Sequence, residues 1–285
     1  MNLNNKITVI IVLYNSSNLI FDCLKSLSNF KVILVDNGKN LDVIDELKKK
    51  ENVKVISRNK NLGFGNGVNF AFDEVKTEFF LLLNPDIVID EKSIMLLLGT
   101  ALNYENCAIA APLNIPDKDS YGILPEKRNI YEKNKIDSKK ITKKKSIPEG
   151  EVCVEVSKGC ALLIKSKHFI DANLFSKNYF LFWEEIDLCR KFLNKKLSII
   201  VNPNALAFHK QGKSSKSSIN NFFIRSFHSE LSPLYYFNIQ KNSPHIYKNI
   251  LKYIFRTISY LFILNIKNSI KNFSKLSANI FYIFK

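Results

Sequence analysis

The sequence predicts an α/β fold built on a mainly parallel, doubly wound sheet, followed by a basic helical C-terminal extension. Three observations carry this expectation. Apolar, β-branched runs alternate with helix-spaced segments through the first hundred residues, and that order calls for parallel strands joined by right-handed crossovers. The run Phe79-Phe80-Leu81-Leu82-Leu83 is short and unbroken, as a strand buried on both faces is. After Glu230 there is no acid, while Lys241, Lys248, Lys252, Arg256, Lys267, Lys271, Lys275 and Lys285 follow one another, largely at helical spacing.

The elements follow in order. Ile7 to Leu13 is the first strand. Ser17 to Leu27 is helical on the spacing of Leu19, Ile20, Cys23, Leu24 and Leu27, with a polar start at Asn15-Ser16-Ser17. Val32 to Val35 is a strand that ends at the turn signal Asp36-Asn37-Gly38. Leu41 to Lys50 is a charged surface helix, and Val53 to Ile56 is the third strand. Gly63 to Val75 is helical despite its glycines, with Phe64, Val68, Ala71, Phe72 and Val75 on one side. Phe79 to Leu83 is the fourth strand, and Lys92 to Leu102 the next helix. The pattern then breaks: residues 113–150 are polar and lysine-rich, hold Pro116, Pro125 and Pro148, and are expected to form a long variable loop. Strands resume at Val152 to Val156 and Gly159 to Ile164. Glu184 to Leu193 is a helix, followed by a strand at Leu197 to Val201 and a short one at Ala205 to His209. One domain over residues 1–215 and a helical basic region over residues 216–285 are expected.

Bulk properties narrow the class. With 285 residues, 46% of them hydrophobic, the chain can build a full core. Its five cysteines have neither C-x-x-C nor zinc spacing and read as reduced, mostly buried thiols. Met1 to Lys6 lacks the n-region of a signal peptide, so the catalytic part is expected to be cytoplasmic. The formal net charge is +16. In the tail, Ile250, Ile254 and Ile258 oppose Lys248, Lys252 and Arg256 on a helical wheel. The apolar stretch Tyr253 to Ile266 contains Arg256 and is too short to span a bilayer, which takes about 20 apolar residues. Residues 241–285 are expected to lie on an anionic membrane surface, placing the protein peripherally on the inner face of the plasma membrane. The alternative is a pair of helices packed on the catalytic domain or on another subunit. No nucleic-acid motif is present, and no nucleic acid is expected as partner.

Four polar sites close the first four strands: Tyr14-Asn15, Asp36-Asn37, Arg58 to Gly63, and Asn84 to Asp86. A parallel sheet brings them to one edge, where ligands of open α/β sheets sit. Asp36 can accept the N3–H of a uracil or thymine ring. Asp86, in a turn fixed by Pro85, can hold a divalent cation that neutralises a diphosphate. The structural alternative is a set of solvated turn acids. Gly63-x-Gly65-x-Gly67 lacks the G-x-G-x-x-G spacing of dinucleotide-binding loops and follows the third strand, which argues against an oxidoreductase.

The motifs Val9-Ile10-Ile11-Val12-Leu13-Tyr14-Asn15, Leu34-Val35-Asp36-Asn37, Asn61-Leu62-Gly63-Phe64-Gly65-Asn66-Gly67-Val68-Asn69 and Leu81-Leu82-Leu83-Asn84-Pro85-Asp86 continue in Gly159-Cys160-Ala161-Leu162-Leu163-Ile164, in Tyr179 to Cys189 and in His209-Lys210-Gln211-Gly212. Together, over residues 6–215 with an echo at Tyr235-Tyr236-Phe237, they resemble the inverting family 2 glycosyltransferases of GT-A fold. Within them the chain is most similar to the rhamnosyltransferase-like branch of bacterial polysaccharide assembly. The resemblance implies transfer of rhamnose or another hexose from a UDP- or dTDP-sugar, with inversion, to a glycan or polyprenyl-diphosphate-linked acceptor in cell-surface polysaccharide biosynthesis. It implies that Tyr14 and Asn15 flank the nucleotide and that Asp36 binds the base. Asn61, Gly63 and Gly67 shape the wall near the ribose and diphosphate, and Asn84 and Gly159 complete the donor site. Asp86 and His209 would hold Mg²⁺ or Mn²⁺, and neutral imidazole suits Mn²⁺ better. Lys213 or Ser214 would donate to the leaving diphosphate. Of the acid pair Glu184-Glu185, Glu185 is expected to be the general base. The alternative makes Glu184, Glu185 and Asp187 first-turn acids favoured by the helix dipole. Asp187 would hold the acceptor or a nearby arginine. Two other functions stand beside this one. A nucleotidyltransferase would need a glycine-rich basic loop that Leu13 to Asn18 lacks, and a non-catalytic membrane-surface protein would use only the lysines.

Overall fold

A computed structural model describes residues 3–14, 19–38, 41–58, 60–116, 121–125, 147–209 and 218–285. After a short 3-10 turn, the elements are β1 (Ile7–Leu13), α1 (Leu19–Lys25), β2 (Lys31–Asp36), α2 (Leu41–Leu47), β3 (Val53–Ser57), α3 (Phe64–Phe72), β4 (Phe79–Leu83), β5 (Ile87–Ile89), α4 (Glu91–Asn103), β6 (Cys107–Ile115), β7 (Tyr121–Gly122), β8 (Val152–Val154), β9 (Val156–Ser157), β10 (Ala161–Lys165), α5 (Ser166–Asp171), α6 (Glu184–Asn194), β11 (Ser198–His209), α7 (Ile219–Tyr236), α8 (Pro244–Phe262) and α9 (Ile266–Phe284). They fall into two compact units: the first carries the sheets and α1 to α6, the second residues 177–183 and α7 to α9.

In the first unit the main sheet has the order β3-β2-β1-β4-β10-β6-β11-β5, with β8 also paired to β11. The strands β3, β2, β1 and β4 are parallel. β10 runs antiparallel between β4 and β6, β11 lies parallel to β6, and β5 is antiparallel to β11. Alternate residues of β1 explain why helices cover both faces. Ile7, Val9, Ile11 and Leu13 join a core with α1, α2 and α4, while Ile10 and Val12 join one with α3, α5 and α6. In the second core Phe72, Phe80, Phe169 and Phe175 pack edge to face, with ring centroids 4.9 to 5.3 Å apart.

Several elements differ from expectation. Leu197 to Val201 and Ala205 to His209 are one strand, β11 (Ser198–His209), whose pairing with β6 shifts register between Ser198 and Ile199 and again between Asn202 and Leu206. The polar Asn-Pro-Asn that reads as a break is a bulge. There Asn202 accepts from the Asn204 N–H at 3.0 Å and donates to Thr100 Oγ1 at 3.0 Å. Val152 to Val156 divides between two strands that pair with different partners. β5, β6 and α5 were not expected, and β6 runs to Ile115, into the segment expected to be a loop. Residues 117–120 and 126–146 of that segment lie outside the described residues.

In the second unit α8 and α9 fold back on one another at Ile263-Leu264-Asn265, where Leu264 has a φ of 54°. The apolar stretch Tyr253 to Ile266 is therefore the end of one helix and a turn. Among the described residues no helix is long and apolar enough to cross a membrane. A small apolar core of Leu231, Leu234, Ile239, Ile246, Ala278 and Tyr282 also takes in Ile250, whereas Ile254 and Ile258 of the predicted stripe are exposed. Beside it lies a polar core. Buried Glu230 accepts from the Tyr253 hydroxyl at 2.7 Å, Lys275 at 3.3 Å, Asn279 at 3.4 Å and Asn249 at 3.5 Å.

Candidate active site

The parallel order places the ends of β1, β2, β3 and β4 at one edge of the sheet, and Asn37 ties three of the connections there together. Its backbone N–H donates to Leu13 O at 2.8 Å, its Nδ2 to Gly63 O at 2.7 Å, and its Oδ1 accepts from the Leu62 N–H at 3.3 Å. Buried Asn37 was read only as part of a turn, because its partners lie some 25 residues away. Beside it, Asp36 ends β2 half-buried, and its Oδ1 accepts from the Gly38 N–H at 3.0 Å. Tyr14 follows β1 at the same edge, half-buried; Asn15 lies outside the described residues. Asn61 spends its Oδ1 on the Gly63 N–H at 2.9 Å, and Gly63 caps α3 with a φ of 80°, where any side chain would be strained. A Cβ on Gly67 would stand 3.2 Å from both Val12 and the Asn37 amide, so this glycine lets α3 approach the clip.

Asn84-Pro85-Asp86 leaves β4 in a turn closed by the Ile87 N–H on Asn84 O at 3.2 Å. Two pairings converge there. Antiparallel β10 sets Cys160 O against the Asn84 N–H at 2.9 Å and brings Gly159 alongside. Antiparallel β11 sets His209 opposite Ile87, so His209 Nε2 lies 3.4 Å from Asp86 Oδ2. Asp86 is only 3% exposed, and its buried Oδ1 has no hydrogen-bond partner among the described residues. A buried carboxyl oxygen without a donor is costly, and a carboxylate beside an imidazole is a donor set that suits a divalent cation. Among the described residues no cluster of three or more metal-ligating side chains occurs, so waters and phosphate oxygens would complete the shell.

The acid pair opens α6. Phe182 and Trp183, just before it, have φ of 68° and 73°. Two consecutive bulky residues in the left-handed region cost roughly 1–3 kcal/mol each and mark an over-determined turn. Glu184 is buried and its Cβ lies 3.3 Å from where a Gly65 Cβ would stand; Glu185 is half-buried and runs along Gly159, its Cβ, Cγ and Cδ 3.2 to 3.5 Å from that residue's missing Cβ. Both glycines are slots for acids. Glu184 Oε2 has no hydrogen-bond partner among the described residues. Burial, and then the neighbouring Glu185, push the Glu184 carboxyl up, and burial raises Glu185 as well. Burial also lifts the Cys160 thiol to about 12, and the Asp86 and Glu185 carboxylates add to the shift. Asp187 is buried and paired to Arg190 at 2.6 Å and Lys191 at 3.5 Å within its own helix. Lys210 to Gly212, Lys213 and Ser214 lie outside the described residues.

Comparison with known proteins gives the family and the fold. Residues 8–168 match the family described as Glycosyl transferase family 2; the span stops before Glu184, Glu185 and His209. The chain is 37% identical over 103 residues to a poly(ribitol-phosphate) beta-glucosyltransferase of Bacillus spizizenii, covering 32% of this chain and 16% of that protein. It is 32% identical over 92 residues to a teichoic acid poly(glycerol phosphate) polymerase of Staphylococcus epidermidis, covering 29% and 13%. The chain thus spans less than a fifth of the length of these relatives. Among solved structures it is similar to GalNAc-T7 with UDP, GalNAc and Mn²⁺, at TM-score 0.56 and 13% identity over 80% of this chain and 50% of that one. It is also similar to the mannosyltransferase PcManGT from Pyrobaculum calidifontis with GDP-Man and Mn²⁺, at TM-score 0.57 and 13% identity over 96% and 75%. The fold is GT-A, and with the matched span covering more than half of its length, the chain belongs to glycosyl transferase family 2.

Proposed function

We propose that this chain transfers a hexosyl group, rhamnose or another hexose, from a UDP- or dTDP-sugar to a glycan or lipid-linked acceptor with inversion, in cell-surface polymer synthesis. The observation that supports it best is that the start of β10 touches both acids' segments: Cys160 O takes the Asn84 N–H two residues before Asp86, whose Oδ1 has no donor among the described residues, and Gly159 makes room for the Glu185 side chain. Neighbours of the same fold carry nucleotides and Mn²⁺, and the curated relatives are named as cell-wall polymer transferases.

The chain's own groups divide the work. Asp36, on the frame held by Asn37, takes the N3–H of the base. Asp86 and His209 would hold Mg²⁺ or Mn²⁺, which when bound neutralises the charge of the departing diphosphate. Burial raises both Glu184 and Glu185, and the raised pKa of Glu185 moves its basicity toward that needed to take the acceptor hydroxyl proton as oxygen attacks the anomeric carbon. Asn84, through its backbone bond to Cys160, holds the wall between donor and base.

A panel of UDP-, dTDP- and GDP-sugars, scored by nucleoside diphosphate release with Mn²⁺ or Mg²⁺, tests this reading. Release from a uridine or thymidine donor, lost in Glu185→Gln, is expected. Undiminished release by that variant would remove Glu185 from the role, and no release from any donor would remove the transferase reading.

A further inference from the structure

The helical unit has its polarity inverted. Asn249, Tyr253, Ser269, Asn272, Ser274 and Asn279 are buried. On α8, Leu251, Ile254, Phe255, Ile258 and Phe262 are exposed, Phe255 at 73% and Phe262 at 83%. At about 100° per residue these five fall within one arc of roughly 100°, with Lys248, Lys252 and Arg256 along one flank. Ile263, Leu264 and Ile266 at the α8–α9 turn extend the stripe into an apolar tip, Leu264 being 82% exposed. An apolar face of this extent marks an interaction site.

Just behind the tip, α8 and α9 part to leave a cleft of about 390 Å³, lined by Lys252, Arg256, Lys271 and Lys275 together with Tyr260 and Asn268. Glu230 is the sole acid of residues 218–285, and it is paired with Lys275. Arg256 and Lys271 make no ion pair among the described residues. These two cations, with amide and hydroxyl donors within a walled space, are the chemistry that recognises a phosphate monoester or diphosphate.

We propose that the α8–α9 hairpin takes the phosphorylated head group of a membrane lipid into this cleft while the apolar stripe and tip lie among the acyl chains. The charge pattern selects this occupant. A second copy of the chain would bring like cations together along the stripe, with no tail acid to answer them. A nucleic acid would meet the cations and leave the apolar stripe wet. A lipid with an anionic head meets both at once. The proposal stands independently of which sugar is transferred.

The test is cosedimentation of the full chain with phosphatidylcholine vesicles, with and without a minor fraction of phosphatidic acid, for the wild type, Arg256→Gln/Lys271→Gln and Phe262→Ser/Leu264→Ser. Circular dichroism melts show whether each variant keeps the fold. Wild type should bind the phosphatidic acid vesicles and ignore the neutral ones. The charge variant should bind about 25-fold more weakly, at roughly fivefold per cation removed from an anionic surface. The tip variant should also release the vesicles while keeping its melt. Equal binding by folded variants and wild type would overturn the proposal. So would binding of inorganic phosphate, by calorimetry, as tight as that of the vesicles, since it assigns the cleft to a soluble anion. A concentration-dependent dimer abolished by the tip substitutions would assign the stripe to a second copy, and RNA binding lost with Arg256→Gln/Lys271→Gln would assign the cations to nucleic acid.

Discussion

Two buried glutamates divide this molecule. Glu184, in the sheet unit, is 4% exposed and leaves Oε2 without a partner among the described residues. Glu230, in the helical unit, is 9% exposed and gathers Tyr253, Lys275, Asn249 and Asn279 around both oxygens. The same side chain at similar depth is accommodated in opposite ways. An acid whose surroundings satisfy it is part of the scaffold. An acid buried without donors is kept at the expense of stability, and chemistry is the reason that fits. The units also differ in what they show to their surroundings: the sheet unit buries apolar strands and puts polar groups at its rim, whereas the helical unit encloses amides and exposes a stripe of Leu, Ile and Phe.

The sharpest test of this contrast is Glu185→Gln, which should lower turnover by about 10²–10⁴-fold while leaving donor affinity near that of the wild type. Turnover and calorimetric donor titration together decide it, and Glu185→Asp should restore part of the rate. Asp86→Ala should next abolish the metal-dependent part of donor binding in a Mn²⁺ titration, while raising the melting temperature of the metal-free protein by removing a buried carboxyl oxygen that has no donor among the described residues. Glu230→Ala should destabilise the helical unit by about 3 kcal/mol, because it strands Lys275 and three polar partners in the interior, and denaturant unfolding measures this. Glu184→Gln should do the reverse. The folded protein holds a proton on Glu184 more tightly than the unfolded chain does, so wild-type stability falls as pH rises from the ordinary carboxylate range through the raised value. The variant should match wild type near pH 4 and exceed it by about 1 kcal/mol or more at pH 9. A variant less stable than wild type at pH 9 would show that Glu184 is structural after all. Gly65→Ala, whose methyl would stand 3.1 Å from Phe175 Cβ and 3.3 Å from Glu184 Cβ, should cost about 1–3 kcal/mol in denaturant unfolding and displace Glu184.

What was legible in the sequence is what local physics dictates. Unbroken apolar runs announced β1, β2 and β4, and their parallel order brings the polar residues that end them to one edge of the sheet. The partners of those ends were not legible. Asn37 is a turn residue until Leu62 and Gly63 are brought to it by the pairing of strands far apart in the chain. β6 escaped notice because Cys107–Ile115 has no alternation and finds its neighbours, β10 and β11, only later in the chain. Positive φ at Phe182 and Trp183 runs against the preference of bulky aromatic residues and could not be read from them. In the tail, periodicity revealed stripes but not which one faced inward. That choice was made by Glu230, which draws the amides and Tyr253 toward itself and leaves Phe255 and Phe262 outside.

The Asn37 clip has a consequence for how this enzyme could change its donor. One residue couples the end of β1, through its backbone N–H, to the connection leading into α3, through its side-chain amide, so moving that connection breaks bonds at the end of β2 as well. If Asp36 takes the base as proposed, selectivity there is set by exchanging side chains on a fixed backbone, Asp36 foremost, and Asp36→Asn is the substitution that reads it.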